Sequence, residues 1–192
     1  GYPSSDNEFT AKIIDNNLAP ALATGRLPAK TPSDVLNYLE KIQLFNNQPN
    51  EIWRKTIINI TGGGNSFEDA TFANYLRNLS NVSDRDFFGS RTISYYKNTT
   101  TPITTNLTES INNKISEGAN LVTYLGHGSA TGTAVSVGKA SELDRILFYY
   151  INGCSTGNVF SNASLSEEFI LEKSKGAIGW IGTTSEGVAS YL

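Results

Sequence analysis

With 192 residues, 39% of them apolar and 17% charged, the chain can build one folded α/β domain, which excludes a disordered segment. Its net charge of -3 comes with scattered Lys and Arg, which excludes the clustered basic face of a nucleic-acid binder, and no apolar run approaches the ~20 residues of a membrane span. A single Cys excludes an internal disulfide, and one Cys with one His falls short of the three or four ligands that a zinc site takes.

Residues 1–30 read as an irregular entry segment with a short strand at Phe9–Ile14, and residues 31–192 as one core. The start, Gly1-Tyr2-Pro3-Ser4-Ser5, carries no signal peptide, and the chain has no Met, so a processed or excised chain is expected. Thr31-Pro32-Ser33-Asp34 predicts a helix start, with Thr31 as cap, Pro32 in the first turn and Asp34 at the positive end of the dipole. Val35, Leu36, Leu39, Ile42 and Phe45 follow at helical spacing, and Asn46-Asn47-Gln48-Pro49 ends the helix.

Thr56–Thr61 is a β-branched strand broken by Gly62-Gly63-Gly64. Ser66 with Asp69 resembles a capping box, and Ala70, Ala73, Leu76 and Leu79 continue a helix. Thr92–Tyr96 is a second strand, and Thr105–Ser116 a helix with Leu107, Ile111 and Ile115 on one face. The strand at Asn120–Leu125 runs into Gly126-His127-Gly128, and the strand at Ile146–Asn152 runs into Gly153-Cys154. A helix at Leu165–Lys173, with Gly176 as its stop, leads to a last strand at Ala177–Gly182. Strands separated by helices imply a parallel sheet with helices on both faces, and the near-continuous apolar runs of the last three strands suit burial on both sides.

In open parallel sheets ligands bind beyond the carboxyl ends of the strands. His127 and Cys154 both sit at that edge, and adjacent parallel strands lie about 4.8 Å apart. An imidazole and a thiol brought together there are what nucleophilic catalysis needs. Gly128 leaves its N–H open to a substrate carbonyl, and with the Cys154 N–H it makes a candidate oxyanion hole. The bland alternatives are a buried apolar Cys and a structural His. A rival nucleophile is Ser155, because Gly153-Cys154-Ser155-Thr156-Gly157 matches the Gly-x-Ser-x-Gly elbow; there the His should follow the Ser, and here the single His precedes it. Gly62-Gly63-Gly64 lacks the Gly-Lys-Ser/Thr of a phosphate loop and reads as a turn or a cleft wall. Among Glu68, Asp69, Glu142 and Asp144, which read mostly as capping or surface charges, Glu68 or Asp69 lies on the right edge to orient His127.

Leu121-Val122-Thr123-Tyr124-Leu125-Gly126-His127-Gly128-Ser129, followed by Phe148-Tyr149-Tyr150-Ile151-Asn152-Gly153-Cys154-Ser155-Thr156-Gly157, resembles the active-site blocks of the gingipain family and, more broadly, of the caspase–gingipain–legumain clan. Gly25-Arg26-Leu27-Pro28-Ala29 resembles the family's entry segment, and Gly176–Ser185 the segment lining its primary specificity pocket. The resemblance spans roughly residues 20–190.

It implies a caspase-like, mostly parallel αβα sandwich and a cysteine peptidase acting on protein or peptide substrates. His127 takes the place of the catalytic His, Cys154 of the nucleophile and Gly128 of the oxyanion-hole glycine, while Thr183, Thr184 and Ser185 fall in the substrate-binding segment. It also implies a secreted or cell-envelope protein of Bacteroidetes-like bacteria, no cofactor, and at most a structural calcium ion, for which no ligand loop stands out. One branch of the family acts as sortase-like transpeptidases, and a non-catalytic binding or assembly module would keep the same fold. The chain stops soon after the specificity segment, so a truncated catalytic core is expected. No acidic residue for Arg specificity and no third catalytic residue stands out.

Overall fold

A computed structural model describes residues 6, 9–11, 19–97, 105–143, 145, 147–161 and 163–187. The expected strand at Phe9–Ile14 lies partly outside these residues; within them, Ala11 forms an isolated antiparallel bridge with Pro20. Asp144 lies outside them altogether.

Helix α1 spans Pro32–Asn47, β1 Thr56–Gly62, α2 Ser66–Ser83, β2 Arg91–Tyr95, α3 Thr105–Ser116, β3 Leu121–Gly126, β4 Gly128–Ser129, β5 Gly132–Thr133, β6 Leu147–Asn152, α4 Leu165–Leu171 and β7 Ala177–Gly182. Five strands form one sheet in the order β2-β1-β3-β6-β7, and every neighbouring pair is parallel. This is the α/β arrangement expected from alternating strands and helices. The β4–β5 hairpin, with strands of two residues each, is too short to leave a period-2 pattern in the sequence.

The pleat sorts the core. Asn59 of β1 donates to Leu76 O and Ser80 Oγ of α2, so the side chains in register with it face α2. On the opposite face, Ile58, Ile60, Val122, Tyr124, Tyr149 and Ile151 pack with Ile111 and Ile115 of α3 and Phe169 of α4 in one buried cluster. The Tyr149 ring meets Phe169 edge-on at 4.9 Å and stacks on Trp180 at 5.1 Å. On the α2 side, helix α2 lies over β1 and β3, while Phe148 of β6 and Ile181 of the edge strand β7 are exposed.

Two helix readings need adjustment. The capping box at Thr31 and Asp34 forms: Thr31 Oγ1 accepts from Asp34 N at 3.3 Å and Asp34 Oδ2 accepts from Thr31 N at 2.8 Å. The α1 stripe expected to be apolar is largely turned outward, however, with Leu36 66% and Leu39 51% exposed. The inward face carries Tyr38, Lys41 and Phe45. Tyr38 Oη donates to Ile178 O at 2.6 Å. The completely buried Lys41 ammonium donates to Phe169 O, Ile170 O and Ala177 O at 3.2, 2.7 and 3.2 Å. It thereby satisfies carbonyls at the end of α4 that have no helical partner. For α2 the cap is Asn65, whose side chain accepts from Glu68 N at 3.0 Å, and Ser66 is the first helical residue.

Burial pulls the Lys41 ammonium down to about 8, against a partial counter-effect from Glu172. A lowered lysine penalises the folded state in its charged form. The penalty is complete below about pH 8 and is relieved as pH rises toward the unfolded value near ~10.4. Lys41→Ala should leave the carbonyls without donors and cost about 3 kcal/mol. That corresponds to a Tm drop of roughly 6–12 °C by thermal melting, with the gap to the parent protein widening from about pH 8 to about pH 10. An unchanged Tm would show that water replaces the ammonium without cost.

Candidate active site

Strand β3 pairs with β6 in the register Leu121↔Phe148 through Leu125↔Asn152. Continued past the strand ends, that offset sets Gly126 against Gly153 and His127 against Cys154, at the carboxyl edge of the central strands. The backbones meet closely there. A Cβ on Gly153 would lie 3.2 Å from Gly126 O and 3.4 Å from Gly128 Cα, and one on Gly128 would lie 2.8 Å from the Thr156 methyl. Glycine at these positions lets the two turns pack together.

The His127 backbone is held on both sides. Its N–H donates to Gly62 O at 2.9 Å, while its carbonyl accepts from Ala134 N at 3.0 Å and Tyr124 Oη at 2.6 Å. Burial pushes the Tyr124 hydroxyl well above its usual range, so it stays a proton donor. The ring is half in solvent, with 59% of the side chain exposed, and its Nε2 meets Glu68 Oε2 at 2.9 Å. Glu68 is held in turn: the same Oε2 accepts from Gly64 N at 2.7 Å. The Gly64 N–H first, and the His127 contact second, keep the Glu68 carboxyl below its ordinary range. Of the two carboxylates that the sequence offered for orienting His127, the structure brings Glu68 to the ring. Asp69 turns instead to Gly63 N, at 2.8 Å.

Cys154 is partly buried and reduced. Among the described residues no hydrogen bond engages its N–H. Ser155 takes a left-handed φ of 57°, which turns the chain sharply after the thiol. The turn is fastened to the segment after β7: Ser155 N donates to Ser185 O at 2.6 Å, Gly157 N to Thr183 O at 2.8 Å, and the Thr183 hydroxyl to Gly153 O. Thr156 Oγ1 adds bonds to Ile151 O at 3.1 Å and Gly153 O at 2.9 Å. Thr183 and Ser185 therefore lie beside Cys154, with the Thr183 hydroxyl committed to the backbone, and Thr184 sits between them. Gly187 follows closely, since a Cβ there would lie 3.3 Å from Cys154 N.

Glu142 pairs with Lys139 at 2.9 Å and belongs to the surface. Among the described residues no group of three or more His, Cys, Asp and Glu side chains is placed to hold a metal. Tyr124 escaped the sequence reading, because a Tyr inside an apolar strand looks like core. The triglycine turn packs against the His127–Glu68 contact: a Cβ on Gly64 would lie 3.2 Å from His127 Nε2 and 3.3 Å from Glu68 Oε2.

The family model for peptidase family C25 matches residues 1–192. No curated protein and no solved structure matches the chain.

Gly64 is exposed, so a side chain there should disturb the His127–Glu68 contact more than the fold. Gly64→Val should slow alkylation of Cys154 by iodoacetamide at least about tenfold at pH 7, the scale of effect that a small misplacement of interacting groups produces. The single Cys makes the labelling unambiguous by mass spectrometry. A variant that labels at the parent rate would show that thiol reactivity does not depend on this contact.

Proposed function

The chain belongs to peptidase family C25, the gingipain family, which makes it a cysteine peptidase by family, and on that premise we propose that it cleaves peptide bonds through Cys154 with His127 as its acid–base partner. One observation carries the proposal: the β3–β6 register aligns the two turns, with Nε2 of the imidazole held by Glu68. With Nε2 engaged, Nδ1 is the nitrogen left to serve the thiol.

In this reading His127 takes the thiol proton and the Cys154 thiolate attacks the scissile carbonyl carbon. The carbonyl π-electrons move onto oxygen, and the N–H groups of Cys154 and Gly128 receive that oxyanion. As the C–N bond breaks, the imidazolium gives its proton to the departing amine, leaving a thioester on Cys154. Water, deprotonated by His127, attacks the thioester; the carboxylic product leaves, and the thiolate is restored. Glu68 acts throughout by fixing the orientation of the ring. Thr183, Thr184 and Ser185 lie where the substrate side chain N-terminal to the cleaved bond would rest.

Peptide-library digestion read by mass spectrometry tests this. Cys154→Ala should abolish cleavage and His127→Ala should lower it by at least about a hundredfold, the scale of general acid–base catalysis. Full cleavage by Cys154→Ala would discard the proposal and turn attention to Ser155.

A further inference from the structure

Asp69 has no part in the chemistry above, yet it is only 7% exposed and lies next to Glu68. Its Oδ1 accepts from Gly63 N at 2.8 Å, while its buried Oδ2 has no hydrogen-bond partner. A buried carboxylate with one oxygen unmet is an expensive way to hold a turn, so stability alone is a poor reason for it. The peptide it holds is also gripped from the other side: Lys97, just past β2, donates from Nζ to Gly63 O at 2.6 Å. Gly63 itself lies flat on the start of α2, where a Cβ would meet Asp69 Oδ1 at 2.6 Å and Asp69 N at 2.8 Å. The next N–H along, that of Gly64, is the one that holds Glu68 against His127.

We propose that Asp69 is a positioning residue: with Lys97 it fixes the Gly63 peptide, so that the Gly64 N–H aims Glu68 at His127. Consecutive carboxylates on one helix thus divide the work, Glu68 touching the imidazole and Asp69 setting the backbone from which Glu68 is held. The inference rests on the reading of His127 as the partner of Cys154. It adds a dependence of thiol reactivity on a side chain that touches neither.

The test uses the whole chain and the labelling rate of Cys154 by a peptide acyloxymethyl ketone, with Tm recorded for each variant. His127→Ala is measured first. If it labels as fast as the parent, the dyad reading fails and this inference fails with it. If it labels slowly, Asp69→Ala should label about tenfold more slowly than the parent. Asp69→Asn, which keeps an oxygen for Gly63 N, should stay within about threefold of it, clearly less than the loss expected for the missing bond. In a Glu68→Ala background, Asp69→Ala should cost nothing further, because its route to His127 is gone. A purely structural role would lower Tm equally in both backgrounds without moving the rate.

Parent-like labelling by folded Asp69→Ala, an undiminished effect in the Glu68→Ala background, or a loss in Asp69→Asn as large as in Asp69→Ala would overturn the proposal. If Asp69→Ala does not fold, Lys97→Met decides. It releases the same peptide from its carbonyl end, so slowed labelling supports the proposal and an unchanged rate overturns it.

Discussion

The parallel pairing of β3 with β6 fixes the site before any side chain is considered. Both strands are central, and Val122, Tyr124, Tyr149 and Ile151 point from them into one buried cluster. A slip of one residue would turn that set toward the opposite face and move Cys154 out of line with His127. Burial of the strands and alignment of the two turns are therefore one constraint. The hydrophobic effect that selects the register also sets how the turns carrying His127 and Cys154 stand beside each other.

Backbone hydrogen bonds then hold the two turns. His127 is tied to the end of β1, to the Tyr124 hydroxyl of β3 and to the hairpin that follows it, and the residues flanking Cys154, namely Gly153, Ser155 and Gly157, are tied to the exit of β7. Each of the two turns thus leans on a neighbouring strand as well as its own, and a partly exposed ring needs such support to keep one orientation. Glu68 completes the set from the first turn of α2.

The strands along the chain, the helices and the two turn residues were legible because they rest on local signals: β-branched runs, glycine breaks and apolar blocks ending in His127 and Cys154; the order of the strands in the sheet, which no local signal carries, was not. Nor was the face that α1 buries. Its inward stripe carries Lys41, a charge that usually marks a solvent face, and only the free carbonyls of α4 and β7 make its burial tolerable. The cap of α2 was misplaced by one residue because Asn65 and Ser66 are both good caps, and the chain direction leaving Gly64 decides between them. The sequence narrowed the His-orienting carboxylate to Glu68 or Asp69. Successive residues on a helix diverge by about 100°, so only the phase of α2 against the triglycine turn separates them.

Lastly, the sheet is unequally dressed. Helix α2 shields β1 and β3, whereas Phe148 and Ile181 remain in water near the edge strand β7. An edge of this kind, unpaired among the described residues and bordered by apolar side chains, is a template for adding further chain. Adhesion along that border should accordingly grow with concentration, since a net charge of -3 repels only weakly.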